Sequence, residues 1–175
     1  MSDLIESVKT TIRDVPDFPK PGILFKDITP VLARPDLMKG ITDHFASRFG
    51  SAGVDAVVGM ESRGFIFGTP LAIALNAAFV PARKPGKLPW KSIGYEYDLE
   101  YGTNRLEVHT DAVTPGQKVL IVDDLLATGG TAEATGKLVE QLGGEVVGYA
   151  FVIELGFLDG RAKLGDVPVD SLVIY

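Results

Sequence analysis

Three features of the sequence place it in the α/β class, with a doubly wound, mainly parallel sheet. Short β-branched and apolar runs recur at 54–60, 118–123 and 146–153. Segments of helical period follow the first two runs, and a turn rich in glycine and hydroxyl groups separates each run from its helix. Strands apolar on both faces need helices above and below them, which is the condition met by a parallel sheet. Ligands of such folds sit beyond the carboxyl ends of the strands, so the turns after Met60 and Asp123 are where function is expected.

Taken in order, Leu4, Ile5, Val8 and Ile12 recur at helical spacing behind Asp3, read as an N-cap with Glu6 three residues later, and Pro16 stops this helix. A loop rich in proline and aromatics follows, 16–27. Pro35 and Asp36 open a second helix whose apolar face is Leu37, Ile41, Phe45 and Phe49. After the strand 54–60 come a Ser62-Arg63-Gly64 turn, an apolar helix over about 65–76 and a short strand at 78–81. Residues 83–103 show no regular period and hold Arg83, Lys84, Lys87 and Lys91 ahead of Glu96, Asp98 and Glu100. So long a connection inside a small domain reads as a flexible lid loop. Leu106-Glu107-Val108-His109 alternates as a half-exposed strand, 118–123 is buried, and a helix over about 131–142 ends at Gly143-Gly144.

A chain of 175 residues is expected to be one domain, 1–175. Its 17 basic and 23 acidic residues give a net charge of −6, which disfavours a nucleic-acid or membrane surface as partner but leaves room for a local basic pocket. The absence of cysteine excludes disulfides, thiolate metal sites and cysteine catalysis, and fits a cytoplasmic location. The amino-terminal residues lack a signal pattern, and the longest apolar stretch, 66–82, is interrupted by Gly68, Thr69, Pro70, Asn76 and Pro81.

The segment Val119-Leu120-Ile121-Val122-Asp123-Asp124-Leu125-Leu126-Ala127-Thr128-Gly129-Gly130-Thr131 is the most informative. Two carboxylates end a buried strand, and a turn of hydroxyls and glycines enters a helix. The free N–H groups and positive dipole end of that helix, with Thr128 and Thr131 beside them, form a cradle for a phosphate monoester. Asp123 and Asp124 would accept from sugar hydroxyls or a metal-bound water nearby. No two glycines are separated by one residue, so the dinucleotide fingerprint is absent; Gly130 and Gly136-Lys137 have five residues between the glycines, and Leu138 stands where a P-loop needs Ser or Thr.

With these residues the chain resembles the type I phosphoribosyltransferases, and among them the adenine-using enzymes almost end to end. The resemblance rests on the segment just described and on four others, Asp17-Phe18-Pro19 with Pro21–Ile28, Glu61-Ser62-Arg63-Gly64-Phe65, Arg83-Lys84 with Gly86–Pro89, and Leu99-Glu100-Tyr101-Gly102. It implies transfer of ribose 5-phosphate from 5-phosphoribosyl-1-diphosphate to adenine, giving AMP and pyrophosphate with Mg²⁺ held mainly through the substrate. By resemblance, Ala127, Thr128, Gly129, Gly130 and Thr131 take the 5-phosphate, and Asp123 and Asp124 hold the ribose. Glu61, Ser62, Arg63, Arg83, Lys84 and Lys87 take the pyrophosphate, with a cis peptide between Glu61 and Ser62. Glu100 is placed near the purine N7 as a proton-transfer group, and Tyr101 helps the lid 83–103 to close. A hood within 1–34 presents Leu24, Phe25 and Lys26 to adenine, Phe25 by stacking and the others through backbone groups. The family implies a homodimer. Two other readings are a transferase for another purine base and a non-catalytic sensor of the diphosphate donor; the sensor reading lacks an appended helix-turn-helix and is at odds with the acidic chain and with Glu100.

Overall fold

The computed structural model describes residues 2–98 and 103–175. Helix α1 spans Ser2–Thr11 and turns its apolar side inward at Val8. Because it already includes Ser2, Asp3 lies in its first turn rather than at the cap; its carboxylate still meets the positive end of the helix dipole there. The helix ends at Thr11, ahead of Pro16, because the chain becomes a strand. Strand β1 (Arg13–Pro16) pairs antiparallel with β2 (Leu24–Asp27), where the sequence alone suggested only a loop. Between them Asp17 adopts φ 56° and accepts from the Gly22 N–H through Oδ1, and the Phe18–Pro19 peptide is cis.

A short helix α2 (Thr29–Leu32) leads to α3 (Pro35–Phe49), whose buried residues are Leu37, Ile41, Phe45 and Phe49, the face the periodicity predicts. Strand β3 (Ala56–Met60) is buried throughout, α4 (Gly64–Leu75) follows, and Asn76 closes that helix in the left-handed conformation. Strand β4 (Ala78–Ala82) then lies parallel to β3.

The lid region departs from expectation. Strand β5 (Ser92–Asp98) pairs antiparallel with β6 (Thr103–His109) in a second two-stranded ribbon, and Arg83 bridges Glu107 by mutual backbone hydrogen bonds. The reason is an alternation of Ile93, Tyr95 and Tyr97, β-favouring side chains on one face that pack on the core beside Leu106 and Val108.

Strand β7 (Lys118–Leu126) runs three residues beyond its expected end, so the acid pair lies within the strand. Helix α5 (Gly130–Gln141), β8 (Glu145–Glu154), two 3₁₀ turns at Gly156–Leu158 and Gly160–Leu164, and β9 (Val169–Ile174) complete the chain. The five parallel strands lie in the order β4-β3-β7-β8-β9. Val57, Leu120 and Val122 face a core shared with α1, α3 and α4, whereas Val58, Val119 and Ile121 face one shared with α5 and β6. The sheet is therefore doubly wound, and strand order reverses between β3 and β7, opening a crevice at their carboxyl ends.

Candidate active site

Two turns face each other across that crevice. At the end of β3, Glu61 donates its N–H to Ala82 O, the Glu61–Ser62 peptide is cis as the resemblance implies, and Ser62 O accepts from the Phe65 N–H. Gly64 opens α4 against β7; a Cβ there would lie 2.7 Å from Val122 O and 3.0 Å from Asp123 Oδ1. Only glycine lets the helix start so close to the acid-bearing strand.

At the end of β7, Gly129 caps α5 with φ 80°, and a Cβ on it would land on the carbonyl oxygen of Gly160. The 3₁₀ turn at Gly160 thus buttresses the cradle from behind, leaving the N–H groups that begin α5 directed outward, a natural anion seat. A cavity of about 250 Å³ joins the two turns; its walls include Glu61, Arg63, Lys84, Asp123, Asp124 and the whole of Ala127–Thr131. Ser62, Arg83, Lys87, Leu24, Phe25 and Lys26 do not line it.

Electrostatics in the crevice are organised around the acids. Arg63 Nε donates to Asp124 Oδ2 at 2.5 Å, a charge-assisted bond that holds the nearly buried Asp124 in place. Asp124 N–H donates to Asp123 Oδ1 at 2.9 Å. Burial pushes the Asp123 carboxyl well above the usual carboxylate range, and the adjacent Asp124 charge pushes the same way, against the weaker pull of the Asp124 N–H and Arg63. Glu61 behaves oppositely. Burial pushes it up, but the Lys84 N–H at 3.0 Å and Arg83 Nε at 3.1 Å outweigh that and hold it below its ordinary value. Its side chain therefore ties the start of the segment after β4 to the turn after β3, and Arg83 Nη1 also donates to Lys87 O at 3.3 Å.

The β1–β2 ribbon ends near this crevice. Asp27, at the end of β2, is lowered by the N–H and hydroxyl of Thr29 and, more weakly, by the charges of Arg13 and Arg63, which sets the strand end near the Arg63 guanidinium. Phe25 packs edge-on against the half-exposed Phe18 at 5.1 Å between ring centres. The Lys26 ammonium is committed to Asp14 at 2.6 Å and to the face of the Tyr175 ring at 3.9 Å, so only its backbone is free to read a ligand. Glu100 and Tyr101 lie outside the described residues.

Sequence reasoning missed Met60, Tyr97, Asn104 and Leu106 as cavity-lining residues. Tyr97 reaches Thr131, with its hydroxyl 3.1 Å from Thr131 Oγ1. The signal that could have found it is the alternation at 93, 95 and 97, hidden by Gly94 within the strand and by the charged residues Glu96 and Asp98 around it.

Residues 28–170 match the model of the phosphoribosyl transferase domain. An adenine phosphoribosyltransferase of Gloeobacter violaceus is 60% identical over 169 residues, covering 96% of this chain and 99% of its own. The crystal structure of the adenine phosphoribosyltransferase of Rhodothermus marinus superposes with a TM-score of 0.95 at 53% identity, covering 100% of both chains. That of Saccharomyces cerevisiae, complexed with an imino-altritol bisphosphate and adenine, gives 0.93 at 43% identity, covering 98% of this chain and 99% of that one. Fold, crevice and these matches agree, and the chain belongs to the phosphoribosyltransferase family, among its adenine phosphoribosyltransferases.

Proposed function

We propose that this crevice carries out the family reaction, transfer of ribose 5-phosphate from 5-phosphoribosyl-1-diphosphate to adenine to give AMP and pyrophosphate, with a specific division of labour. The observation that carries it is the placement of an acid pair between a phosphate cradle and two basic groups, Arg63 and Lys84, in one cavity. The cradle Ala127–Thr131 binds the 5-phosphate, and Asp123 and Asp124 accept from the ribose hydroxyls. As the bond to the leaving diphosphate breaks, positive charge builds at the anomeric carbon, and fixed carboxylates nearby stabilise it without having to reorient. Arg63 and Lys84, with Ser62, Arg83 and Lys87 around the same turn, neutralise the departing pyrophosphate; Glu61 serves by ordering that turn.

Leu24, Phe25 and Lys26 on β2 receive adenine, Phe25 by stacking and its neighbours through backbone groups. Glu100 moves a proton at the base, and Tyr101 helps the lid 83–103 to exclude water, which would otherwise hydrolyse the activated donor. Among the described residues no three carboxylate or imidazole groups converge on one point. The paired carboxylates Asp123 and Asp124 suit a Mg²⁺ carried by the diphosphate and its own waters, either of them accepting from one of those waters. When bound, the ion would offset charge on the leaving group.

The whole chain, 1–175, works as one unit with its hood in 1–34, in the cytoplasm and as a homodimer. Ile66 and Ile73, seven residues apart on α4 and exposed, offer an apolar stripe for that pairing. Among the described residues no helix is long and apolar enough to cross a membrane.

The test is incubation with adenine, the diphosphate donor and Mg²⁺, which should yield AMP and pyrophosphate. Turnover of hypoxanthine or xanthine in place of adenine would overturn the base assignment. Binding of the donor without turnover would favour the sensor reading. Sedimentation velocity of the purified chain checks the dimer.

A further inference from the structure

The phosphate cradle is touched by a side chain from a separate part of the fold. Tyr97 stands on β5, more than thirty residues before Thr131, and its hydroxyl lies 3.1 Å from Thr131 Oγ1. Both residues line the same cavity. Resting on the assignment of Ala127–Thr131 as the 5-phosphate cradle, we propose that Tyr97 is a positioning residue for that cradle: its phenol donates to Thr131 Oγ1 and thereby turns the Thr131 proton toward the phosphate.

The argument follows from the donor and acceptor capacity of two hydroxyls. A threonine hydroxyl has one proton and two lone pairs. Left alone, it can rotate and spend its proton on a nearby carbonyl, as Thr135 does toward Thr131 O at 2.8 Å one turn further along α5. If Thr131 donated to Tyr97, it would have no proton left for an anion. If Tyr97 donates instead, one Thr131 lone pair is satisfied and its proton is free to point into the cavity. A dianionic phosphate selects this second arrangement, because it can only accept. The phosphate also strengthens the outer bond, since a hydroxyl that donates to an anion becomes a better acceptor.

The placement of Tyr97 suits this role. Its neighbours Ile93 and Tyr95 pack on the core, so the ribbon that carries it is seated on the sheet domain and the phenol is delivered by packed structure. Tyr97 pairs in register with Asn104, another lining residue. The 5-phosphate subsite is thus built from two elements, the α5 turn and the β5–β6 ribbon.

The experiment measures ribose 5-phosphate and adenine binding to the full chain by titration calorimetry, with wild type, Tyr97→Phe, Thr131→Ala and the double variant. The phenylalanine keeps the ring and removes only the hydroxyl. The expected result is a loss of about 3- to 10-fold in ribose 5-phosphate affinity for Tyr97→Phe, the size of one net hydrogen bond. Adenine affinity should stay within about 2-fold of wild type. In the double variant the loss should be no greater than for Thr131→Ala alone, since the hydroxyls act as one unit. Thr131→Ser, which keeps the acceptor, should restore the sensitivity to Tyr97→Phe. Unchanged ribose 5-phosphate binding in Tyr97→Phe, or losses that simply multiply in the double variant, would overturn the inference while leaving the cradle assignment intact. A wild-type chain that fails to bind ribose 5-phosphate would overturn both.

Discussion

The five-stranded sheet and the two antiparallel ribbons, β1–β2 and β5–β6, are built on different terms. Each central strand of the sheet is buried on both faces, so its residues are fixed by packing from two sides. Each ribbon is only two strands wide and has an exposed side, shown by Leu24 in β2 and Glu96 in β5, although β6 also bridges Arg83 through Glu107. Fixed charge is carried by the sheet: Asp124 on β7, bonded to Arg63 at the turn after β3, with Asp123 beside it. The groups assigned to the base and to the edge of the phosphate, Phe25 and Tyr97, ride on the ribbons. Charge stabilisation requires groups that do not reorganise; of the two ribbons, β5–β6 is seated on the core through Ile93, Tyr95, Leu106 and Val108, whereas β1–β2 carries a Phe25 that is only half-buried.

This contrast can be broken most sharply at the acid pair. Asp124→Ala should lower kcat/KM by about 10²- to 10³-fold, and leave Arg63 without its partner. Asp123→Asn should weaken both turnover and donor affinity, read from steady-state kinetics with each substrate varied. A mild, equal effect from both changes would mean that the platform carries less of the chemistry than its rigidity suggests.

Next in size is stability. Leu120→Ala, in the fully buried centre of β7, should cost about 2–5 kcal/mol, measured by urea unfolding. Val15→Ala, half-buried on β1, should cost only about 1 kcal/mol. Equal losses would erase the distinction between sheet and ribbon.

At the hood, Phe25→Ala should raise the KM for adenine by about 10-fold, the order of one lost stacking contact, with the donor KM little changed. Glu100→Gln should lower turnover far more than donor affinity.

The smallest effect concerns pH. The native Asp123 carboxyl holds its proton to higher pH than an unfolded one, so the native state binds more protons between the ordinary carboxylate range and its raised value. Stability should therefore fall as pH rises through that window. Asp123→Asn should remove this fall in thermal melts recorded across the window, while acid-side losses tied to Glu61 and Glu154, both held below their ordinary values, remain.

The same contrast explains what could be read from the amino-acid sequence. Buried strands and helices announce themselves by composition over several residues, so β3, α3, β7, α5 and β8 were legible, as was the glycine turn that joins β7 to α5. The ribbons were not. β1 and β2 are four residues each, β1 ends on Pro16 and Pro19 lies in the turn between them, and their pairing is decided by that turn at Asp17 and Gly22, whose backbone angles carry no period. β5 was masked by Gly94, which breaks the run of β-favouring residues and leaves room for the Arg105 guanidinium packed over it. Individual charges fared similarly: the basic turn at 83–87 was visible, but the capture of Glu61 by Arg83 and Lys84 depends on a meeting across more than twenty residues of chain.

The contact between Gly129 and Gly160 has a consequence for how this chain can change over time. A Cβ on Gly129 would meet the Gly160 carbonyl, and a Cβ on Gly160 would meet that of Ala127. Both obstacles are backbone, which every residue type shares, so no replacement at one position can make room for a side chain at the other. Random mutagenesis selecting for growth on adenine should therefore yield second-site suppressors for many damaged positions, but none that restores a Gly129→Ala or Gly160→Ala variant through a substitution at the other glycine.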